Sequence, residues 1–307
     1  MIKASVILCT YNPQAVILNE TLVGLKQQSL DSNQWELIIV DNNSTNSFQE
    51  HLDLSWHQQC IVIKETKQGL THARIAGIQK AKAPLLVFVD DDNILDNNYL
   101  ENAIQIGEDY PFLGAWGGTS IGKYEVTPPE WFSHKHFEML AIRTIERDVW
   151  SNKYFDRPTN PIGAGLVIRQ DVGKAYMKAR QKESSQLVLD RSGGSLLSGG
   201  DNELVYKAID LGYGTGNFTS LVLTHFITAG RLTAEYMVRL TESIAMSNVI
   251  LYHKYGRDYP LPVRPRGIAT DILYQLQLWR MPKIKKALMD AEVRGILKGK
   301  ELLNNLN

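Results

Sequence analysis

The feature that most constrains this chain is an alternation repeated through its first 120 residues. Apolar, β-branched-rich runs at Ser5–Cys9, Leu37–Val40, Ile61–Ile63 and Leu85–Val89 are separated by helix-compatible stretches near Val16–Gln28, Phe48–Leu54 and Leu70–Ala81. A strand that is apolar along its whole length is covered on both faces. Strands joined through helices require crossover connections, so the expectation is an α/β fold: a mainly parallel, Rossmann-like sheet with helices on both sides. Ligands of such sheets bind beyond the carboxyl ends of the strands. Three residue groups follow those ends, Thr10-Tyr11-Asn12, Asp41-Asn42-Asn43-Ser44 and Asp90-Asp91-Asp92-Asn93. All three are expected along one edge.

Further on, the order loosens. The segment from Phe112 to about Pro161, rich in glycine and aromatic residues and carrying Pro128-Pro129, reads as a strand followed by long loops able to wall a pocket. Ile162–Arg169 resumes a strand-like run, and the Gly/Ser-rich stretch Lys182–Gly200 reads as a mobile loop. Asp201–Leu211 reads as a helix, Leu221–Phe226 as a strand and Leu232–His253 as a long helix. A proline-rich connector, Asp258–Gly267, leads to two closing helices broken near Pro282. The expected organisation is one domain in two halves, residues 1–120 and 121–230, with a C-terminal helical extension over 231–307.

The formal net charge is zero, which leaves no global basic field for nucleic acid. The charge is uneven, however: residues 252–307 carry 11 Lys and Arg against 5 Asp and Glu. The stretch Lys283–Met289, with Arg294, Lys298 and Lys300, is basic and helical with an apolar stripe, which suits either packing on the body or peripheral contact with an anionic membrane. No run reaches the roughly 18 apolar residues a membrane span needs. Cys9 and Cys60 lie in strand-like runs and read as small buried hydrophobes. A cytoplasmic location is the expectation, at most peripheral at the inner face of a membrane.

The chemistry gathers at the three strand ends. Asp90, Asp91 and Asp92 repel one another and call for a cation or full solvation. Hard carboxylate oxygens suit Mg²⁺ or Mn²⁺, which are bound through few carboxylates and through substrate phosphates. The same residues also suit a solvated turn, with Asp92 or Asn93 capping a helix after Ile94. Asp41 offers a carboxylate to a uracil-type N–H or a ribose hydroxyl, or a cap to its own turn. Tyr11 offers a flat face for a base, with Thr10 and Asn12 beside it. Trp116, Trp131 and Phe132 offer faces for a sugar ring, or core.

Taken together, Ser5-Val6-Ile7-Leu8-Cys9-Thr10-Tyr11-Asn12, Glu36–Ser44 and Leu86–Asp92 resemble the nucleotide-binding half of family 2 glycosyltransferases, inverting enzymes of the GT-A fold, and the likeness extends over roughly residues 3–230. The resemblance implies that residues 1–120 bind a nucleotide sugar and that 121–230 carry the acceptor and catalytic half. It implies base-side contacts at Thr10, Tyr11, Asn12 and Asp41. Asp90-x-Asp92 matches the family's DxD motif, with Asp92 as metal ligand and Asp90 or Asp91 beside ribose or phosphate. Gln68–Arg74 is similar to the segment whose arginine reaches the donor, which assigns Arg74; Ile75 stands where the family carries Asn. Asp201 matches the catalytic base that opens the acceptor-side helix, with Gly200 where an acidic residue is usual. His225 resembles the histidine that completes the metal site. The implied ligands are a nucleotide-sugar donor, Mn²⁺ or Mg²⁺, and a glycan or lipid-linked acceptor in bacterial polysaccharide or glycolipid synthesis. Two other readings compete: a sugar-nucleotide pyrophosphorylase, which would need a Gly-rich basic loop where Thr10–Pro13 stand, and a non-catalytic sugar-nucleotide or glycan binder.

Overall fold

The computed structural model of the chain describes residues 1–182, 199–260 and 281–305. The described residues form two compact units, one of residues 1–182 and 200–229, the other of residue 199 with 230–260 and 281–305. In the first unit, β1 (Ala4–Thr10), β2 (Trp35–Asp41), β3 (Cys60–Lys64) and β4 (Leu85–Asp90) are all parallel, in the spatial order β3-β2-β1-β4. The apolar runs of β1, β2 and β4 are buried from end to end, which is why they do not alternate. The edge strand β3 exposes Ile61 and Val62. Register then fixes the strand ends, for Thr10 stands opposite Asp41 and Cys9 opposite Asp90.

Helices α1 (Ala15–Lys26), α2 (Leu70–Lys80) and α3 (Tyr99–Asp109) connect or flank these strands. Each buries residues at helical spacing, such as Leu18, Leu22 and Leu25 on α1. The height of α2 on the sheet is set by Gly77, where a Cβ would lie 2.3 Å from the Ile7 side chain of β1. Only a residue without a side chain lets the helix backbone come that close.

Beyond β4 the sheet mixes directions. A three-residue strand, β5 (Asn93–Leu95), occupies the position where a helix cap was expected. It pairs antiparallel with the long β9 (Gly214–Ile227), so the apolar Ile94 and Leu95 extend the sheet before the chain turns into α3. β6 (Leu113–Tyr124) runs parallel to β9, and the short β7 (Val149–Ser151) and β8 (Val167–Arg169) complete the sheet of the described residues. Around them lie α4 (His134–Met139), α5 (Gln170–Lys182) and α6 (Gly200–Asp210). Phe48–Leu54 contains one 3₁₀ turn, Phe48–His51, in place of a helix. The core is continuous through Leu8, Leu22, Trp35, Ile39, Val87, Leu100, Trp116 and Phe218.

The second unit is built on α7 (Ala234–Lys254) and α8 (Lys283–Asn304). Gly295 of α8 approaches the Glu242 backbone and Gly299 approaches Val249, so two small residues let the helices touch. Arg294 and Lys298 both reach the Glu242 carboxylate, the former at 2.9 Å. No helix among the described residues is long and apolar enough to cross a membrane. The loop expected over 182–200, with its glycine pairs, and most of the 258–267 connector and the first closing helix fall in segments 183–198 and 261–280, outside the described residues.

Candidate functional site

The parallel strands deliver their terminal residues to one edge, and each is held there by a separate set of hydrogen bonds. Thr10 is buried and donates its hydroxyl to the Asp91 carboxylate. Tyr11 leaves half of its surface exposed. Asn12, at φ 48°, accepts at Oδ1 from the Thr45 amide at 2.8 Å, while its own amide donates to Ser44 Oγ at 2.9 Å. Asn12 therefore ties the loop after β1 to the loop after β2.

Asp41 is buried and accepts from the Ser44 amide at 2.8 Å and from Gln49 Nε2 at 2.7 Å. Two contacts leave a carboxylate with further accepting capacity. Its neighbour Asn42, which the sequence did not single out, donates to the Glu65 and Lys67 carbonyls and accepts from the Gly69 amide at 2.7 Å. It fixes the loop that leads into α2.

The three aspartates splay apart. Asp91 turns to Thr10, and the Thr21 hydroxyl donates to the Asp91 carbonyl at 3.0 Å. Asp92 faces His225, Nε2 to Oδ2 at 3.3 Å, because β5 pairs Asn93 with His225 across the sheet. Asn93 locks the turn, donating to Asp92 Oδ1 at 2.9 Å and accepting from the Asp90 amide at 3.3 Å. Burial pushes the Asp90 carboxyl above its ordinary range, the nearby Arg74 charge pulls it back, and Asp92 and Asp201 push it up again.

Burial and the charges of Asp92 and Asp90 push the Asp91 carboxyl up to about 7, against an ordinary 3.8, with the Thr10 hydrogen bond opposing. A folded pKa above the unfolded one means that ionisation destabilises the fold. The contribution of protonated Asp91 is complete below about pH 4 and is lost as the pH rises to about 7. In metal-free protein kept in EDTA, the melting temperature is therefore expected to fall across that window. Asp91→Asn should remove part of the slope, as read by thermal unfolding at a series of pH values.

Opposite this cluster lies an ion pair. Arg74, buried on α2, reaches Asp201 in the first turn of α6, and its guanidinium lies 5.7 Å from the centre of the Phe88 ring. Asp201 is thus one residue inside the helix, with its carboxylate given to Arg74 and not to a cap. The Asp201 side chain keeps 35% of its surface open, against 4% for Arg74. Among the described residues Arg74 Nη2 has no hydrogen-bond partner.

Three contacts set the entry of α6. Asn160 Nδ2 donates to Asn202 Oδ1 at 2.6 Å, buried Glu203 pairs with Arg180 of α5 at 3.3 Å, and Gly163 lies flat against Asp201. Arg143 braces the Asn160 loop by donating to the Asn160 carbonyl at 3.0 Å and to Asn217 Oδ1 at 2.6 Å. A Cβ on Gly163 would lie 2.2 Å from Asp201 Oδ2. Gly163→Ala is therefore expected to dislodge that carboxylate. If Asp201 has the role that the resemblance implies, a shift of about 1 Å should lower activity roughly 10²-fold, while the melting temperature should move little. Activity and thermal unfolding of the same preparation check the pair of outcomes.

Of the aromatic residues offered by the sequence, Trp116 is fully buried, with Arg169 over its ring, and belongs to the core. Trp131 is half-buried against Phe132 and His136. No group of three or more His, Cys, Asp or Glu side chains converges among the described residues. Asp92 and His225 converge as a pair.

The description of glycosyl transferase family 2 matches residues 5–179. The chain belongs to glycosyl transferase family 2. Within the family it is similar to the glucosyl-dolichyl phosphate glucuronosyltransferase of Haloferax volcanii, 22% identical over 55% of this chain and 53% of that one. It is similar also to the glycosyltransferase AglE of the same organism, 23% identical over 68% of this chain and 62% of the relative. The chain thus spans between half and two thirds of the length of these relatives. Among solved structures, the mannosyltransferase PcManGT from Pyrobaculum calidifontis, in complex with GDP-Man and Mn²⁺, superposes with a TM-score of 0.55 at 18% identity, covering 99% of this chain and 74% of that one. The family 2 chain has the GT-A fold. Its matched segment ends at residue 179, ahead of both Asp201 and His225.

Proposed function

We propose that this chain is an inverting, divalent-metal-dependent glycosyltransferase that moves a sugar from a nucleotide diphosphate donor, of the UDP-sugar class, to an acceptor hydroxyl. The observation that carries this reading is the meeting of two pairs at one sheet edge, Asp92 with His225 and Arg74 with Asp201.

The first pair fits a divalent ion. One carboxylate oxygen and one imidazole nitrogen already converge, and a site of few protein ligands is the kind that Mg²⁺ and Mn²⁺ complete with water and substrate phosphates. The nitrogen ligand favours Mn²⁺. When bound, the ion would neutralise charge on the departing nucleoside diphosphate.

The chain's own residues do the rest. Tyr11 offers its exposed face to the base, Asp41 accepts from the uracil N–H or the ribose, and Thr10, Asn12, Asp90 and Asp91 shape the pocket between them. Arg74 donates to the diphosphate. Asp201, in the first turn of α6, takes the proton from the acceptor hydroxyl, and its value lies in its position beside the acceptor. A single carboxylate base on the acceptor side suits a one-step displacement with inversion. The acceptor is a glycan or lipid-linked chain of a bacterial polysaccharide or glycolipid, and the setting is the cytoplasm. Exposed Val293 and Leu297 on basic α8 suit peripheral contact with the inner face of a membrane.

The test is a thermal-shift panel of UDP, GDP and CDP with Mn²⁺ and with EDTA, followed by donor turnover on the sugar nucleotides of the best base. UDP at about 100 times its Kd adds about 2.7 kcal/mol, or roughly 5 °C, to apparent stability. That shift is expected with Mn²⁺ and not with EDTA. A panel in which no nucleoside diphosphate moves the transition would end the reading.

A further inference from the structure

We propose that Arg74 keeps Asp201 out of use until the donor arrives, and that the donor's diphosphate releases it by taking over the guanidinium. The inference rests on the function proposed above and adds an order of events to it.

The pair is uneven. Arg74 is sealed inside, whereas the Asp201 side chain is one-third open, so the carboxylate can meet an acceptor that the arginine cannot. In the ion pair Asp201 Oδ1 is occupied by the Nη1–H donor of Arg74. An oxygen already engaged by a guanidinium has less room to accept from an incoming hydroxyl. Arg74, for its part, is incompletely satisfied: Nη1 serves Asp201, while buried Nη2 has no partner among the described residues. A buried guanidinium donor without an acceptor costs free energy and marks a place for an incoming oxygen.

The charges around Arg74 show where that oxygen comes from. Its positive charge acts on Asp90 as well as on Asp201, so the guanidinium lies near the acidic cluster as well as the base. A diphosphate seated at Asp92 and His225 brings several phosphate oxygens to the acidic side of the arginine. A planar guanidinium binds phosphate through two parallel hydrogen bonds, a geometry that competes with one carboxylate contact. Phe88, 5.7 Å away, offers its ring face as a support on which the guanidinium can turn without leaving cover. Once it has turned, Asp201 is held by Gly163 and the α6 entry alone, and is free to accept a proton.

Arg74 is a positioning residue in this scheme, and the scheme has a counter-intuitive consequence. Wild-type protein must break the ion pair to bind donor, so removing the base should tighten nucleotide binding. The experiment is calorimetric titration of UDP with Mn²⁺ (GDP, if the nucleotide panel selects it) into wild type, Asp201→Asn, Arg74→Met and the double variant. Asp201→Asn is expected to bind about 5-fold more tightly than wild type and Arg74→Met at least tenfold more weakly. In the Arg74→Met background, Asp201→Asn should produce no gain. Asp201→Ala replaces Asp201→Asn if the latter is poorly folded.

Unchanged or weaker binding by the Asp201 variants overturns the proposal. So does a gain that persists without Arg74, because simple removal of a negative charge near the diphosphate would then explain it. Both results leave the nucleotide-binding function standing. A wild type that binds no nucleoside diphosphate overturns the function and the coupling together.

Discussion

Asp201→Asn is expected to lower sugar transfer by roughly 10³-fold, within the range a general base contributes, while nucleotide binding tightens. The substitution keeps the shape of the side chain and the acceptor that Arg74 uses, so the fold should stay intact. What is lost is the ability to take a proton. The measurement is steady-state transfer alongside UDP titration on the same protein. Transfer near the wild-type rate would remove Asp201 from the role of base and turn attention to buried Glu203, two residues along the same helix, which is engaged by Arg180.

The second large effect concerns which of the three aspartates meets the ion. Asp91 is turned to Thr10, whereas Asp92 faces the imidazole of His225. Asp92→Asn is therefore expected to reduce Mn²⁺-dependent turnover by at least about 10²-fold. The thermal shift that UDP produces in Mn²⁺ should fall to the value seen in EDTA. Asp91→Asn should keep the Mn²⁺ dependence. If the two variants behaved in the opposite way, the ion would belong between Asp90 and Asp91 and His225 would be a core residue.

These expectations differ in how far the sequence alone supports them. The ends of β1, β2 and β4 were legible because fully apolar runs stop abruptly at polar groups, and parallel pairing then aligns Thr10, Asp41 and Asp90 without further information. The helices α2, α6 and α7 were legible from their spacing, to within a residue or two at each end. The stretch after Asp92 was not. Ile94 and Leu95 are apolar and short, a pattern that serves a helix start or a strand equally, and only the presence of β9 decides for the strand. Trp116 illustrates the same limit: the sequence cannot say whether an aromatic residue faces a sugar or a core, and here Gly107 of α3 and Arg169 lie against its ring.

The contacts that give the site its chemistry lie still further from local pattern. Thr10 and Asp91 are 81 residues apart, Arg74 and Asp201 are 127, and Asp92 and His225 are 133. No periodicity links such positions; resemblance supplied the roles, and topology supplies the meetings. Asn42 and Asn93 stood in the strand-end groups, Asn93 only as a cap, and Asn160 and Gly163 carried no signal of their own, because short polar residues and glycines are common in every loop.

The pairing of β5 with β9 has a consequence for how the molecule comes into being. A nascent chain extended only to residue 180 holds every strand of the parallel half and all three aspartates, yet neither the imidazole nor the carboxylate of Asp201. Contacts that join such distant segments form late, after the cost of closing the intervening loop has been met. The parallel half can therefore assemble on a growing chain before Asp92 meets His225 and before Arg74 meets Asp201.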